Sequence, residues 1–255
     1  MSFGDVTSAN TVGYANQTGI VKDEFYIFGS GFDSVGGGKK INDVIGKVTG
    51  VDWDKKGAWK TTATQIQVPS EAGYTTYYYL NDAATGKTTS APGWADGVGD
   101  FVDVDLTPGV AFWFKNKVDA DGSVFAQQGQ VPDDPGAGIR VECSTEFELH
   151  NNPFPMAFKL NGPNVDSSEV VGVNWDKKGA WKTTATQIQV PSEAGYTTYY
   201  YLNDAATGKT TSAPGWADGV GDYVDVEIPA GQGFWTKGVS GAFALTFKLN
   251  ASAAE

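Results

Sequence analysis

The chain is poor in the residues that build catalytic centres and basic surfaces: its 255 residues include one cysteine, one histidine and one arginine, Arg140. A single cysteine, Cys143, excludes an intramolecular disulfide. The 18 basic residues face 30 acidic ones, and the formal net charge of -12 excludes a basic surface for nucleic acid or an anionic membrane. No apolar run approaches the ~20 residues that span a bilayer, so we expect no membrane insertion.

The chain is rich in aromatic residues and contains a long internal repeat. Aromatic side chains make up 13% and hydrophobic ones 40% of the sequence, which is enough to bury a core and excludes general disorder. Residues 53–100 and 175–222 are identical over 48 positions, at an offset of 122 residues. The correspondence continues at lower similarity from residues 101–113 to residues 223–235, whereas residues 15–50 and 137–172 share little more than scattered apolar positions. A recent duplication and a surface that must meet one partner twice are the two explanations for the block.

The repeat predicts two homologous domains of ordinary size. We place the first at residues 1–131 and the second at residues 139–255. Residues 132–138 lie between them and combine proline, glycine and acidic residues, a composition typical of a linker.

Strand patterns dominate both halves. Residues 73–80 are almost all β-branched or aromatic, and residues 65–68 and 101–106 alternate between apolar and polar side chains. The best helical candidate, residues 40–48, is short. Alternating strands separated by turns favour sandwiches or barrels. We predict an all-β fold of two tandem homologous β-sandwich-like domains, either separate or sharing one continuous core.

Groups for nucleophilic or metal chemistry are scarce. Cys143 and the only histidine, His150, occupy positions at which the first half has Val21 and Phe28. We therefore interpret Cys143 as a packing residue and His150 as incidental, and their spacing alone gives no support to a catalytic pair. The chain also lacks the ligands of a usual zinc site and the glycine pattern of a phosphate loop. We expect the protein not to be an enzyme.

Four of the eight tryptophans form two pairs of different character. Trp113 and Trp235 lie within alternating apolar strands, and we assign them to the core. Trp94 and Trp216 lie in Ala-Pro-Gly-Trp-Ala-Asp-Gly loops, where a ring can plug the end of a sandwich, fill a subunit interface or stack on a sugar. The candidate interface or glycan-stacking residues are Trp94, Trp216, Tyr77, Tyr79, Tyr199 and Tyr201.

Loops rich in aspartate and glycine allow two interpretations. Both residue types make turns, and carboxylate and carbonyl oxygens are also the ligands that Ca²⁺ prefers. The candidate calcium ligands are Asp96, Asp100, Asp218, Asp222, Asp119 and Asp121. A second acidic pair, Asp103 and Asp105, lies two residues apart on a predicted strand and indicates a solvated face. Calcium is the one cofactor that the sequence suggests.

Several motifs occur together along the chain: Thr11-Val12-Gly13-Tyr14, Asn152-Pro153-Phe154-Pro155, Pro-Gly-Trp-Ala-Asp-Gly and Gly-Gln-Gly-Phe-Trp-Thr-Lys. Over nearly the whole chain this set resembles a group of secreted, β-rich tandem-repeat proteins of environmental Gram-negative bacteria. The resemblance implies an extracellular or cell-surface location. The group has no assigned activity, so the resemblance implies no functional residue. The first residues, Met1 to Asp5, lack the basic and apolar regions of a signal peptide.

Two functions fit these observations. The first is a secreted structural protein that self-assembles into a filament, tube or surface layer, with copies of itself as partners joined through strand edges and aromatic loops. Three features favour this function: a tandem β repeat without catalytic residues, an excess of acidic over basic side chains, and strands rich in threonine and aromatic residues. The alternative is a bivalent glycan-binding module, in which two identical faces gain avidity on a repeating polysaccharide.

Overall fold

The fold belongs to the all-β class, as predicted. Strands account for 45% of the structure and helices for 6%, arranged in several antiparallel sheets. No helix in the described part of the chain is long and apolar enough to cross a membrane. The computed structural model describes residues 12–34, 40–45, 48–82, 92–106, 109–132, 138–193, 195–204 and 214–249.

The first half contains two sheets and two short helices. The strands are β1 (Val12–Ile20), β2 (Phe25–Phe28), β3 (Gln65–Ser70), β4 (Gly73–Leu80), β5 (Gly93–Ala95), β6 (Phe112–Lys115) and β7 (Ser123–Gln130). The helices are α1 (Ile41–Val44) and α2 (Trp59–Thr62). One antiparallel sheet has the order β2-β6-β3-β4-β5, and β1 pairs with β7 in the other. Helix α1 falls within the predicted helix, whereas the predicted strand at residues 101–106 forms only isolated bridges, at Phe101 and Asp105.

The second half repeats this plan. Its strands are β8 (Ile139–Cys143), β9 (Glu148–Asn151), β10 (Phe158–Lys159), β11 (Val165–Asp166), β12 (Gln187–Ser192), β13 (Gly195–Leu202), β14 (Gly215–Ala217), β15 (Glu227–Ile228), β16 (Gly233–Lys237) and β17 (Phe243–Phe247). A five-stranded sheet has the order β14-β13-β12-β16-β9, a second sheet the order β11-β17-β8, and β10 pairs with β15. A 3₁₀ turn, Ala180–Thr183, stands in place of α2. The predicted linker at residues 132–138 lies largely outside the described residues, and the division into two domains stays a prediction.

Each half buries an aromatic core between its five-stranded sheet and the smaller sheet that faces it. In the first half, Phe125 of β7 stacks on Phe28 of β2 with ring centroids 4.6 Å apart, and lies 4.5 Å from Phe114 of β6. In the second half, Phe247 of β17 lies 6.5 Å from Phe234 of β16. Two sheets that pack face to face over such a core make each half sandwich-like.

Trp94 and Trp216 belong to these cores. The loops in which the sequence placed them form the short strands β5 and β14, where the rings contact Tyr79 and Tyr201 at 5.2 and 5.1 Å. Both indoles are 0% exposed. The interpretation as plugs of the sandwich agrees with this burial. The interpretation as interface or glycan-stacking residues is wrong for Trp94 and Trp216, because a ring without an accessible face cannot stack on a sugar or a partner.

Candidate functional site

The two halves meet through backbone hydrogen bonds that occur twice. The N–H of Gly29 donates to the carbonyl of Gly231 at 3.0 Å, and the N–H of Asn151 donates to the carbonyl of Gly109 at 2.9 Å. At the repeat offset of 122 residues, Gly29 corresponds to Asn151 and Gly109 to Gly231. The second bond is therefore the first with the roles of the halves exchanged. Such reciprocity is the property of an approximate two-fold axis.

Further backbone and side-chain contacts at this junction obey the same symmetry. Bridges join Phe28 to Gln232 and Val110 to His150, which are again equivalent pairs with their roles exchanged. Trp113 and Trp235 are equivalent to each other, and their ring centroids lie 6.2 Å apart, as expected for residues beside the axis. These two rings pack against a small buried cluster formed by Ile27, Ala111 and Leu149.

Two glycines make the close approach of the halves possible. A Cβ atom built on Gly29 would lie 2.1 Å from the Cβ of Asn151, and one on Gly233 would lie 2.1 Å from the Cγ2 of Ile27. Real Cβ atoms do not approach other atoms to such distances, so neither position accepts a side chain without a shift of the junction.

Beside the junction lie two equivalent grooves, each built from both halves. The first groove has a volume of about 480 Å³ and is lined by Phe25 and Trp113 from the sheet of the first half. Its opposite wall is the tip of the β12–β13 hairpin of the second half, with Pro191 and Tyr196.

The second groove has a volume of about 370 Å³ and the corresponding lining. Phe147 and Trp235 come from the sheet of the second half. Pro69 and Tyr74 come from the tip of the β3–β4 hairpin of the first half. Since the two hairpins lie inside the identical blocks, the two grooves share one wall residue for residue, while the strands opposite differ.

The aromatic rings of the grooves are open to solvent. Phe25, Tyr74 and Tyr196 are each 45% exposed and Phe147 is 46% exposed, which is high for large apolar side chains gathered in one place. Contiguous exposed apolar surface of this kind marks binding sites more often than a lone exposed ring does.

Within each groove, rings and cations are positioned by their neighbours. Phe25 meets Trp113 edge to face, with centroids 6.0 Å apart and planes at 80°. The Nζ atom of Lys115 lies 4.7 Å from the centre of the Phe25 ring, and that of Lys237 lies 5.0 Å from the centre of Phe147. These cation–π contacts hold the rings of Phe25 and Phe147 in place.

Strand alternation explains why Trp113 and Trp235 line the grooves, and the sequence-based assignment of both to the sandwich core is wrong. Phe112 and Phe114 point into the sandwich and are buried, so Trp113 between them points to the opposite face of the sheet. There it is half-buried beside the other half. Trp235 follows Phe234 in the same way.

The polar lining distinguishes the two grooves outside the identical hairpins. The first groove carries Gln232, where the second has Val110. The second groove carries Glu142, Glu148 and His150, where the first half has Ile20, Tyr26 and Phe28.

His150, interpreted from the sequence as incidental, thus lies in the wall of the second groove. Burial lowers the pKa of His150, and its Nε2 atom lies 3.5 Å from a carboxylate oxygen of Glu148. Cys143 is 2% exposed, and burial raises the pKa of its thiol to about 12. The thiol is therefore protonated at neutral pH, which is consistent with the interpretation of Cys143 as a packing residue.

The tyrosines predicted from the sequence as stacking residues face the sandwich cores. Tyr79 and Tyr201 are 8% and 4% exposed. Tyr77 and Tyr199 are partly buried against the same cores. None of these four tyrosines lines the first or the second groove. The aromatic residues of the grooves lie on the opposite face of the sheets.

Four of the six aspartates predicted as calcium ligands accept hydrogen bonds in turns and loop contacts. One carboxylate oxygen of Asp96 accepts from the N–H groups of Val98, Gly99 and Asp100, and Asp218 does the same in the second half. Asp119 accepts from the hydroxyl of Thr49. Asp121 accepts from the N–H of Lys22. Among the described residues, no three acidic, cysteine or histidine side chains cluster as a metal site would require. Calcium binding by Asp96, Asp100, Asp218, Asp222, Asp119 and Asp121 stays a prediction.

No protein-family model, curated protein or solved structure matches the chain.

Proposed function

We propose that the protein binds neutral polysaccharide chains outside the cell, through the first and the second groove. The observation that carries this proposal is the pair of grooves in which half-exposed aromatic rings stand beside carboxylate side chains, joined in the first groove by the amide of Gln232. A pyranose ring has an apolar C–H face and a rim of hydroxyl groups. It therefore needs both an aromatic ring to stack on and polar groups at the edge.

In the first groove, Phe25, Trp113 and Tyr196 supply the apolar surface. Glu193 and Gln232 supply acceptors and donors for hydroxyl groups at its rim. The arrangement matches what small-molecule sites share, a mostly apolar lining with a few convergent polar groups.

Charge argues for a neutral glycan. The chain has a net charge of -12, and in each groove two carboxylates outnumber the one lysine that lies over an aromatic ring. An acidic glycan or a nucleic acid would be repelled from such a surface. A neutral polysaccharide meets no such penalty.

The identical blocks support a partner that is met twice. Pro69 and Tyr74 of one groove and Pro191 and Tyr196 of the other come from the blocks that are identical over 48 positions. Selection for one ligand at both grooves accounts for identity at these hairpin tips, although a recent duplication would also produce it.

Affinity electrophoresis in gels that contain hydroxyethylcellulose, arabinoxylan, galactomannan or pullulan tests the proposal. We expect at least one of these neutral polymers to retard the wild-type chain, and polygalacturonate, an acidic polymer, to leave its mobility unchanged. The double variant Tyr74→Ala/Tyr196→Ala removes one exposed ring from each groove and should migrate as if no polymer were present.

Tyr14→Ala is the matched control, because Tyr14 is 77% exposed on β1 and lines neither groove. It should be retarded like the wild type. Absence of retardation in all four neutral gels, or equal retardation of the double variant, would contradict the proposal.

Self-assembly into a filament, tube or surface layer is the second candidate. Strand β1 spans nine residues and, within the described residues, pairs along one edge only, with β7. An edge strand with free N–H and C=O groups is a template for another chain. Negative-stain electron microscopy over a concentration series tests this candidate: regular assemblies support it, and uniform monomers at every concentration exclude it.

A further inference from the structure

The symmetry of the junction determines how the two grooves are oriented. Equivalent contacts are exchanged between the halves, from the Gly29–Gly231 and Asn151–Gly109 hydrogen bonds to the Trp113–Trp235 contact. The grooves flank this contact and are therefore related by the same rotation of about 180°.

A polysaccharide has a direction, because its reducing and non-reducing ends differ. A rotation of 180° reverses every component of direction that is perpendicular to the axis. The rotation leaves a component of direction along the axis unchanged, but two chain segments that run along the axis then lie side by side rather than end to end. In neither case does one straight chain pass through both grooves in the orientation that each of them recognises.

From this geometry we infer that the protein bridges two polysaccharide segments, one in each groove, and so cross-links chains rather than gaining avidity along one straight chain. The inference rests on the proposed function and replaces the avidity expected from the sequence. The shared wall supports it, since identical hairpin tips impose the same chain direction within each groove.

The residues of the grooves offer a matched pair of variants. Tyr196→Ala alters only the first groove and Tyr74→Ala only the second. Both residues are 45% exposed and lie in identical sequence, so the two variants carry the same small risk to the fold.

The test measures binding and cross-linking separately, with the full chain and whichever of hydroxyethylcellulose, arabinoxylan, galactomannan or pullulan retards it in the gels. Calorimetry with short oligosaccharides of that polymer counts sites, and light scattering with the long polymer detects cross-linked chains. We expect two sites per wild-type chain and a rise in scattering that passes through a maximum as protein is added. Each single variant should show a two-fold lower number of sites and no rise in scattering.

The outcomes separate the two proposals. If oligosaccharides do not bind, the proposed function fails. If the wild type binds at two sites but the scattering of the long polymer does not rise, the function holds and the cross-linking inference is overturned. The inference is overturned as well if either single variant increases scattering as the wild type does.

Discussion

The two faces of each five-stranded sheet carry tryptophans in different environments. On the inner face, Trp94 and Trp216 are 0% exposed and fill the sandwich cores. On the outer face, Trp113 and Trp235 are half-buried, contact each other and line the grooves. Residue type does not distinguish the two pairs, and their position in the strand does: Trp113 stands between two core phenylalanines and therefore faces away from the core.

The largest effect is expected when an inner-face tryptophan is shortened. Trp94→Ala and Trp216→Ala each leave a large cavity, and each should lower the free energy of unfolding by about 3–5 kcal/mol. Trp113→Ala should cost less, because part of that ring is already in water. Denaturant unfolding measures all three variants, and equal losses on the two faces would contradict the assignment.

Adding a methyl group at a glycine tests the junction between the two halves. Gly29→Ala and Gly233→Ala place a Cβ atom within 2.1 Å of the other half and should lower the free energy of unfolding by about 1–3 kcal/mol. Gly97→Ala is the control, since nothing lies within 4 Å of its added atom. Similar stability of all three variants would mean that the halves do not meet as described.

Replacing the two inner-face tryptophans by phenylalanine sharpens the comparison between halves. The Nε1 atom of Trp216 donates to the hydroxyl of Ser167 at 3.1 Å, whereas that of Trp94 is buried and has no partner in the structure. Trp216→Phe should therefore cost about 1 kcal/mol more than Trp94→Phe, which removes an unsatisfied donor. Thermal or denaturant unfolding measures the free energy of unfolding of both variants. A larger loss of stability in Trp94→Phe than in Trp216→Phe would contradict the prediction.

A pH series distinguishes the second groove from the first. Burial lowers the pKa of His150 below its ordinary value of 6.5, so the unfolded chain takes up a proton that the folded chain does not. The free energy of unfolding should therefore decline as the pH falls below about 6.5, until it passes the pKa of the folded state.

His150→Phe introduces the residue that stands at the equivalent position, Phe28, and should remove this part of the pH dependence. The facing carboxylates Glu142 and Glu148 are present in both proteins, so the difference between variant and wild type reports the histidine. Parallel curves from pH 5 to pH 7.5 would show that His150 does not titrate in this way.

Much of the local structure follows from sequence pattern. The alternation at residues 65–68 and the β-branched and aromatic run at residues 73–80 correspond to strands β3 and β4. Period-2 patterning and turn residues are local signals, so a single sequence is enough to read them.

The site could not be read in the same way, because it depends on how the halves meet. One available signal was the run from Ala111 to Phe114, which is apolar on both faces of its strand. A strand that is apolar on both faces is covered on both, and here the second cover is the other half. The burial of Trp94 depends instead on the pairing of β5 with β4. The sequence around Trp94 is typical of a loop and does not predict this pairing.

Hydroxyl-radical footprinting with mass spectrometry tests the central claim most directly. Phe25, Trp113, Phe147 and Trp235 lie outside the identical blocks, so their peptides report each groove separately. We predict that the neutral polysaccharide that retards the chain protects all four side chains from oxidation and leaves the exposed Tyr14 unprotected. Protection that is absent from these four residues while the polysaccharide is bound would place the binding surface elsewhere on the protein.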